Sequence, residues 1–376
     1  MQLGGGSFEE MASDIKMHSR KIVLFGVGVI GSSITPAILN NLGLINKVEC
    51  CIDNDSLKWG KTIDLGENKV KIYSPDILDK LVANIAVFVN ISRYAEALEQ
   101  LEQMDCTKTM ICYIMPMMCI TNFHNYGGKG VLQTSKKPVI PKKIHYMWLG
   151  GGTLPKNLQM CVESWRKYCP DYEIIKWDES NYDVKKSVYM DQAYQYEKYG
   201  YVPDYARIDI LYHHGGIYMD TDVEVIRNLD DMLYQEAFCS VEKWQVLNFG
   251  GCSGAIPKHP ALKRFLQAWK QRRFINEEGS ADILSSGFLD TRVAMDCGYV
   301  LNGQNQTILG MNIYTYDYFH PYDYMSGKME LTDDTYAIHH FNGGWLDERA
   351  KLATQRTRSK YESLCHRIQQ TKELNL

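Results

Sequence analysis

The chain has no strong charge of either sign: 41 Lys and Arg stand against 45 Asp and Glu, a net charge of −4 over 376 residues. That balance carries no basic footprint and excludes nucleic acid as the expected partner. Long apolar runs are also missing. The longest, residues 111–120, contains Pro116 and reaches about half a membrane span. The opening Met1-Gln2-Leu3-Gly4-Gly5-Gly6-Ser7 is too polar for the apolar core of a secretory signal. The 11 cysteines include the adjacent Cys50 and Cys51 but no C-x-x-C pair, so they read as buried thiols in a reducing compartment. Internal repeats and low-complexity tracts are lacking too. Together these absences predict a soluble, cytoplasmic protein.

What is present fits two α/β domains. Hydrophobic residues make up 45% and charged residues 23%, and the length allows a core in each domain. Residues 18–125 read as a Rossmann-like parallel-sheet domain. Residues 126–139 shift to Gly, Lys, Ser and Pro without apolar period and read as a linker. A second α/β domain spans 140–348, and 349–376 form a basic helical tail.

In the first domain, the apolar strand 21–25 runs into Gly26-Val27-Gly28-Val29-Ile30-Gly31, and an apolar helix over 32–42 follows. Strand 48–52 then ends at Asp53, 22 residues beyond Gly31. This is a βαβ unit with G-x-G-x-x-G spacing. Gly26, Gly28 and Gly31 would let a diphosphate approach the helix start, and Asp53 could take a ribose hydroxyl. The same glycines also serve close strand–helix packing without any ligand. The alternative enzyme class, an NAD(P)-dependent sugar oxidoreductase or epimerase, rests on these four residues, and no Tyr-x-x-x-Lys pair follows within the first domain to support it.

In the second domain, strands over 144–148 and 172–177 flank a helix over 155–168. A second helix starts at Pro203 and Asp204, with Asp204 and Arg207 on one side. It runs into Gly215 and Gly216, which should end it. A short strand then leads to Asp220-Thr221-Asp222. Two carboxylates at that spacing leave a strand on the same face and repel unless a cation lies between them. An isolated Asp-x-Asp reads equally well as a polar turn; its neighbours must decide.

The neighbours form an ordered set: Ile144-His145-Tyr146-x-Trp148-x-Gly150-Gly151, Trp165-x-x-Tyr168-x-Pro170, Asp204-Tyr205-Ala206-Arg207, Gly215-Gly216-Ile217-Tyr218-x-Asp220-x-Asp222 and Ile338-His339-His340-x-x-x-Gly344-Trp345. Over 138–348 the chain resembles the glycosyltransferase family 32 enzymes, which include capsular polysaccharide synthesis proteins and yeast outer-chain mannosyltransferases. The resemblance implies a GT-A fold, a retaining transfer, a nucleotide-sugar donor with UDP-sugar favoured, and Mn2+ or Mg2+. It implies a saccharide or lipid-linked oligosaccharide acceptor in bacterial surface polysaccharide synthesis. By position, Asp220 and Asp222 would hold metal and donor, with His340 as third metal ligand. Tyr218, Asp204 and Arg207 would contact the donor, Trp148 would lie against the base, and Trp345 would reach the phosphates. The assigned catalytic set is Asp204, Arg207, Asp220, Asp222 and Trp345. One departure is Gly344, where a serine commonly stands.

The tail carries seven Lys and Arg against Glu362 and Glu373, with Tyr361, Leu364 and Ile368 on one helical face. That pattern suits either peripheral membrane contact or a helix packed on the protein.

Overall fold

Strands Lys21–Phe25 (β2) and Ile85–Val89 (β6) are nearly unbroken apolar runs, and apart from Lys21 their side chains are sealed from solvent. Such strands belong at the centre of a parallel sheet covered on both faces. The structure is a computed structural model. It describes residues 1–376 apart from positions 29, 66, 67, 82, 83, 93, 124–131, 277, 278, 283, 284, 345, 347, 375 and 376. Its contacts divide the chain into two units, residues 1–126 with 348–376, and residues 127–347.

In the first unit the sheet also takes Gln2–Gly4 (β1), Val48–Ile52 (β3), Thr62–Leu65 (β4), Asn68–Tyr73 (β5) and Ile111–Ile114 (β7). The order is β1-β7-β6-β2-β3-β5-β4, parallel throughout except for the β4–β5 hairpin. The chain winds outward from β2 through β3, then returns to β6 on the other side, which makes a switch point between β2 and β6. Helices Phe8–Met17 (α1), Thr35–Asn41 (α2), Tyr94–Gln103 (α3) and Met115–Phe123 (α4) complete it. The helix expected over 32–42 is α-helical only from Thr35; residues Ile30–Ile34 form a wider π turn.

Two elements precede the expected domain start. β1 pairs with β7, and α1 is closed by a reciprocal cap in which Ser7 Oγ accepts the Glu10 N–H at 3.0 Å and Glu10 Oε2 accepts the Ser7 N–H at 2.8 Å. The tail, Glu348–Leu374 (α10), belongs to this unit too. Arg356 and Lys360 pair with Glu99, and Arg367 with Glu102 at 2.6 Å. Tyr361 and Leu364 of its apolar face are buried and Ile368 is half-buried. Among the described residues, no helix is long and apolar enough to cross a membrane.

The second unit contains strands Lys143–Met147 (β8), Glu173–Trp177 (β9), Gly216–Tyr218 (β10), Val223–Val225 (β11), Ala237–Val241 (β12), Leu247–Asn248 (β13), Ser253–Ala255 (β14), Gln306–Ile308 (β15), Met311–Tyr314 (β16) and Ala337–His339 (β17). Its helices are Lys156–Tyr168 (α5), Val188–Gln195 (α6), Val202–His214 (α7), Pro260–Trp269 (α8) and Ser286–Asp296 (α9). The main sheet runs β15-β16-β12-β14-β10-β8-β9, with β13 against β12, and β11 pairs with β17 apart from it. The mixed, parallel-rich α/β arrangement is consistent with a GT-A type fold. Part of the expected linker is bound to this unit: Val139 N donates to Leu233 O at 2.8 Å and Asn312 Nδ2 to Gln133 O at 2.7 Å.

Strand direction positions the site. β9, β8, β10 and β12 point the same way, because β10 and β12 both run antiparallel to β14. Ala255 of β14 faces Gly216 on one side and Ala237 on the other, so β10 and β12 end toward the same side of the sheet. The residues just past β8, β10 and β12 therefore gather at one sheet edge, where ligands bind in open α/β sheets.

Candidate active site

Helix α7 delivers Asp204 and Arg207 to that edge. Pro203 suits its first turn, and Gly215 ends it with φ +64° and ψ −165°. Gly216 follows at φ +92°. A side chain at Gly215 would strike Pro257 Cδ at 2.7 Å, and one at Gly216 would strike Lys143 O at 2.9 Å. The pair thus turns the chain sharply from helix into β10, which carries it to Asp220.

Arg207 is the joint between helix and turn. Its Nη2 donates to Asp204 Oδ1 at 2.8 Å and stands 3.6 Å from Asp220 Oδ2, while Nε donates to Pro203 O at 3.1 Å. Its Cζ lies 6.0 Å from the ring centre of the buried Tyr218. Burial works against the Arg207 charge, but Asp220 and Asp204 outweigh it and raise its pKa. Burial raises the Asp204 carboxyl, with Arg207 opposing. The helix pair is therefore a buried salt bridge, not a surface one.

Asp222 faces the second ring of partners. Its Oδ1 stands 3.3 Å from His339 Nε2, and its Oδ2 accepts the Asn342 N–H at 2.8 Å. Burial pushes this carboxyl up, yet the His339 charge and hydrogen bond and the Asn342 N–H hold it down at about 2. Asp220, Asp222 and His339 each place a ligand atom within 4.8 Å of the others. The imidazole in this cluster is His339, where the sequence reading put His340. His339 ends β17 and turns to Asp222, whereas His340, one residue past the strand, pairs through Nε2 with Glu224 Oε2 at 3.0 Å.

Trp148 follows β8 at the same edge, half-buried, its Nε1 donating to Gly152 O at 2.7 Å. The Gly150 N–H anchors this turn to Glu179 Oε1 at 2.6 Å. Trp345 lies outside the described residues. Tyr314, Tyr318 and Phe319 are buried in the core, so this aromatic run is packing and not a sugar platform.

Sequence reasoning missed the loop that backs the acids. Gly250 O accepts the Asp220 N–H at 2.8 Å. A side chain at Gly250 would meet Asp220 Oδ2 at 2.0 Å and Arg207 Nη1 at 2.7 Å; one at Gly251 would meet His320 Nε2 at 2.0 Å. His320 in turn lies 5.4 Å, ring to ring, from His339. The available signal was Asn248-Phe249-Gly250-Gly251, a turn sequence between apolar strands.

In the first unit, Gly26 (φ +93°) and Gly31 have packing reasons: a side chain at Gly31 would lie 1.9 Å from Gly26 O. Gly28 has open space. The Asp53 carboxylate already accepts from the Val27 and Asp55 N–H groups, both at 2.9 Å, and from Lys58 Nζ at 3.1 Å. Three of its about four acceptor sites are thus taken by groups of its own unit.

With this geometry in place, residues 155–239, which include α7 and the Asp220–Asp222 turn, match the family described as the glycosyltransferase sugar-binding region containing DXD motif. The chain is 30% identical over 134 residues to inositol phosphoceramide mannosyltransferase 1 of Schizosaccharomyces pombe, covering 33% of this chain and 40% of that protein. Inositol phosphoceramide mannosyltransferase 3 of the same yeast is 34% identical over 111 residues, 28% of this chain and 31% of its own. A mannosyl phosphorylinositol ceramide synthase of Saccharomyces cerevisiae is 31% identical over 140 residues, 36% of each chain. The similarity spans less than half the length of each of these relatives. A solved structure titled PaToxG Glycosyltransferase aligns at 15% identity and TM-score 0.35 over 55% of this chain and 77% of its own, a likeness too distant to carry an argument.

Proposed function

We propose that the chain is a divalent-metal-dependent, retaining glycosyltransferase that moves a sugar from a nucleotide-sugar donor to a saccharide or lipid-linked acceptor. The observation that carries this reading is the convergence of Asp220, Asp222 and His339 at the sheet edge, with Arg207 fixed beside Asp220.

The residues fit a cation. Two carboxylates and an imidazole form a hard oxygen–nitrogen donor set, and the buried His339 Nδ1 has no hydrogen-bond partner among the described residues. Asp220, Asp222 and His339 would hold the metal. When bound, it supplies positive charge to neutralise the departing diphosphate without a proton transfer. This chain's own groups do the positioning: Arg207 locks Asp220 to the helix, Asn342 and His339 keep Asp222 ionised, and Trp148 offers an aromatic face at the edge for a base.

UDP-sugars remain the favoured donors. The mannosyltransferase names of the yeast relatives add mannosyl donors to those worth testing, and a glycolipid acceptor beside the surface polysaccharide. The test is release or transfer of sugar from a panel of UDP- and GDP-sugars with and without manganese. Turnover of one donor that chelator abolishes is the expected result. Turnover unaffected by chelator, or none from any donor with manganese, contradicts the proposal.

A further inference from the structure

The hairpin between β12 and β13 holds an acid that the site described above does not use. Glu242 is 8% exposed and directly follows β12. Its Oε1 accepts from Asn248 Nδ2 at 2.9 Å, and its Oε2 accepts from Trp244 Nε1 at 2.6 Å. Asn248 is equally committed, since its Oδ1 accepts the N–H groups of both Gly250 and Gly251 at 2.9 Å. Gly250 then accepts the Asp220 N–H through its own carbonyl, and its bare Cα leaves the room that Asp220 Oδ2 and Arg207 fill. A continuous hydrogen-bonded path thus runs from Glu242 through Asn248 and Gly250 to the first acid of the cation cluster.

We propose that Glu242 is a positioning residue for the cation site, setting Asp220 through Asn248 and the Gly250 turn. The proposal rests on reading Asp220, Asp222 and His339 as a divalent-cation site. The path has a defined polarity: a carboxylate at position 242 must accept from both neighbours. A carboxamide there accepts from one and presents an N–H2 to the other. Asn248 cannot rotate its amide to compensate, because its oxygen is held by two backbone donors. The closer indole donor, at 2.6 Å against 2.9 Å for Asn248, keeps the single oxygen of a carboxamide, so Glu242→Gln breaks the link to Asn248, whereas Glu242→Gln combined with Asn248→Asp reverses that link and restores it. In the double variant the carboxamide introduced at position 242 donates to the carboxylate introduced at position 248, which still accepts both glycine N–H groups.

Manganese binding to the full chain, followed by electron paramagnetic resonance of the free ion, tests this without any donor. Outer-shell changes of this kind typically cost roughly 10–100-fold in metal affinity. Glu242→Gln should weaken binding by about tenfold or more, and the double variant should bind close to wild type. Trp244→Phe removes the other donor to Glu242 and lowers thermal stability, but leaves the path to Asp220 and should leave affinity unchanged. Three results would overturn the proposal while wild type binds manganese: undiminished affinity in Glu242→Gln, a double variant as weak as the single one, or an equal loss in Trp244→Phe. If wild-type chain binds no manganese, the functional reading itself falls, and this inference with it.

Discussion

The guanidinium of Arg207 stands 3.6 Å from the carboxylate of Asp220, tying α7 to the turn that follows β10. The same nitrogen donates to Asp204 at 2.8 Å, and both the arginine and its helix partner are buried. Buried pairs of this kind are costly to break one-sidedly, since the remaining charge is stranded. Lysine offers a point charge on a flexible stem and cannot hold two carboxylates in one plane. Arg207→Lys should therefore lower kcat/KM by roughly 100-fold or more, the scale of a lost charge-stabilising donor, in steady-state assays with the turned-over donor.

The two adjacent histidines should separate cleanly. His339→Ala removes a member of the cluster and should weaken manganese binding by more than about tenfold. His340→Ala removes only the pairing with the half-exposed Glu224, and should shift stability by less than about 1 kcal/mol with little change in metal affinity. Calorimetric titration of both variants with manganese checks the contrast.

The backbone of the site was largely legible in the sequence, because local signals wrote it. Pro203 opened the helix, Gly215 and Gly216 closed it, and the Asp220–Asp222 spacing announced its own face. The choice between His339 and His340 was not legible, because it depends on β17 pairing with β11 in a register where Val223 meets His339. Glu242 and Asn248 were hidden for a similar reason: their role comes from β12 and β10 flanking β14, a non-local arrangement. Ser7-x-x-Glu10 is a capping-box pattern that marks the start of α1, whereas β1 is only three residues long and exists through its distant pairing with β7.

In the first unit the glycines should divide by space, not by motif. Gly31→Ala puts a methyl 1.9 Å from Gly26 O and should cost about 1–3 kcal/mol by overpacking. Gly28→Ala meets nothing within 4 Å and should stay within about 0.5 kcal/mol of wild type. Urea unfolding of both, followed by far-UV circular dichroism, measures the difference.

Asp290 gives a pH signature. It is 1% exposed and accepts from Trp269 Nε1 at 2.9 Å. Burial pushes its carboxyl up to about 7, against the pull of Trp269 and Arg207. Unfolded, the group ionises near ~3.9, so between these values the folded state binds the extra proton. Its contribution to stability therefore falls as pH rises from ~4 through about 7. Asp290→Asn keeps an oxygen for Trp269 and carries no charge. It should be close to neutral at pH 4 and stabilising at pH 8, by on the order of 2–4 kcal/mol. Thermal unfolding at the two pH values reads this directly.

The most direct test of the account is a side-by-side manganese titration of donor turnover by wild-type chain and by Asp222→Asn. Asp222 is held ionised at the centre of the cluster by His339 and the Asn342 N–H, and asparagine preserves its shape while removing its charge. The account predicts saturable activation of the wild type by manganese and a fall of about 100-fold or more in the variant, both assayed at a temperature where circular dichroism shows them folded. Full activity in Asp222→Asn, or turnover indifferent to metal in both chains, would contradict it.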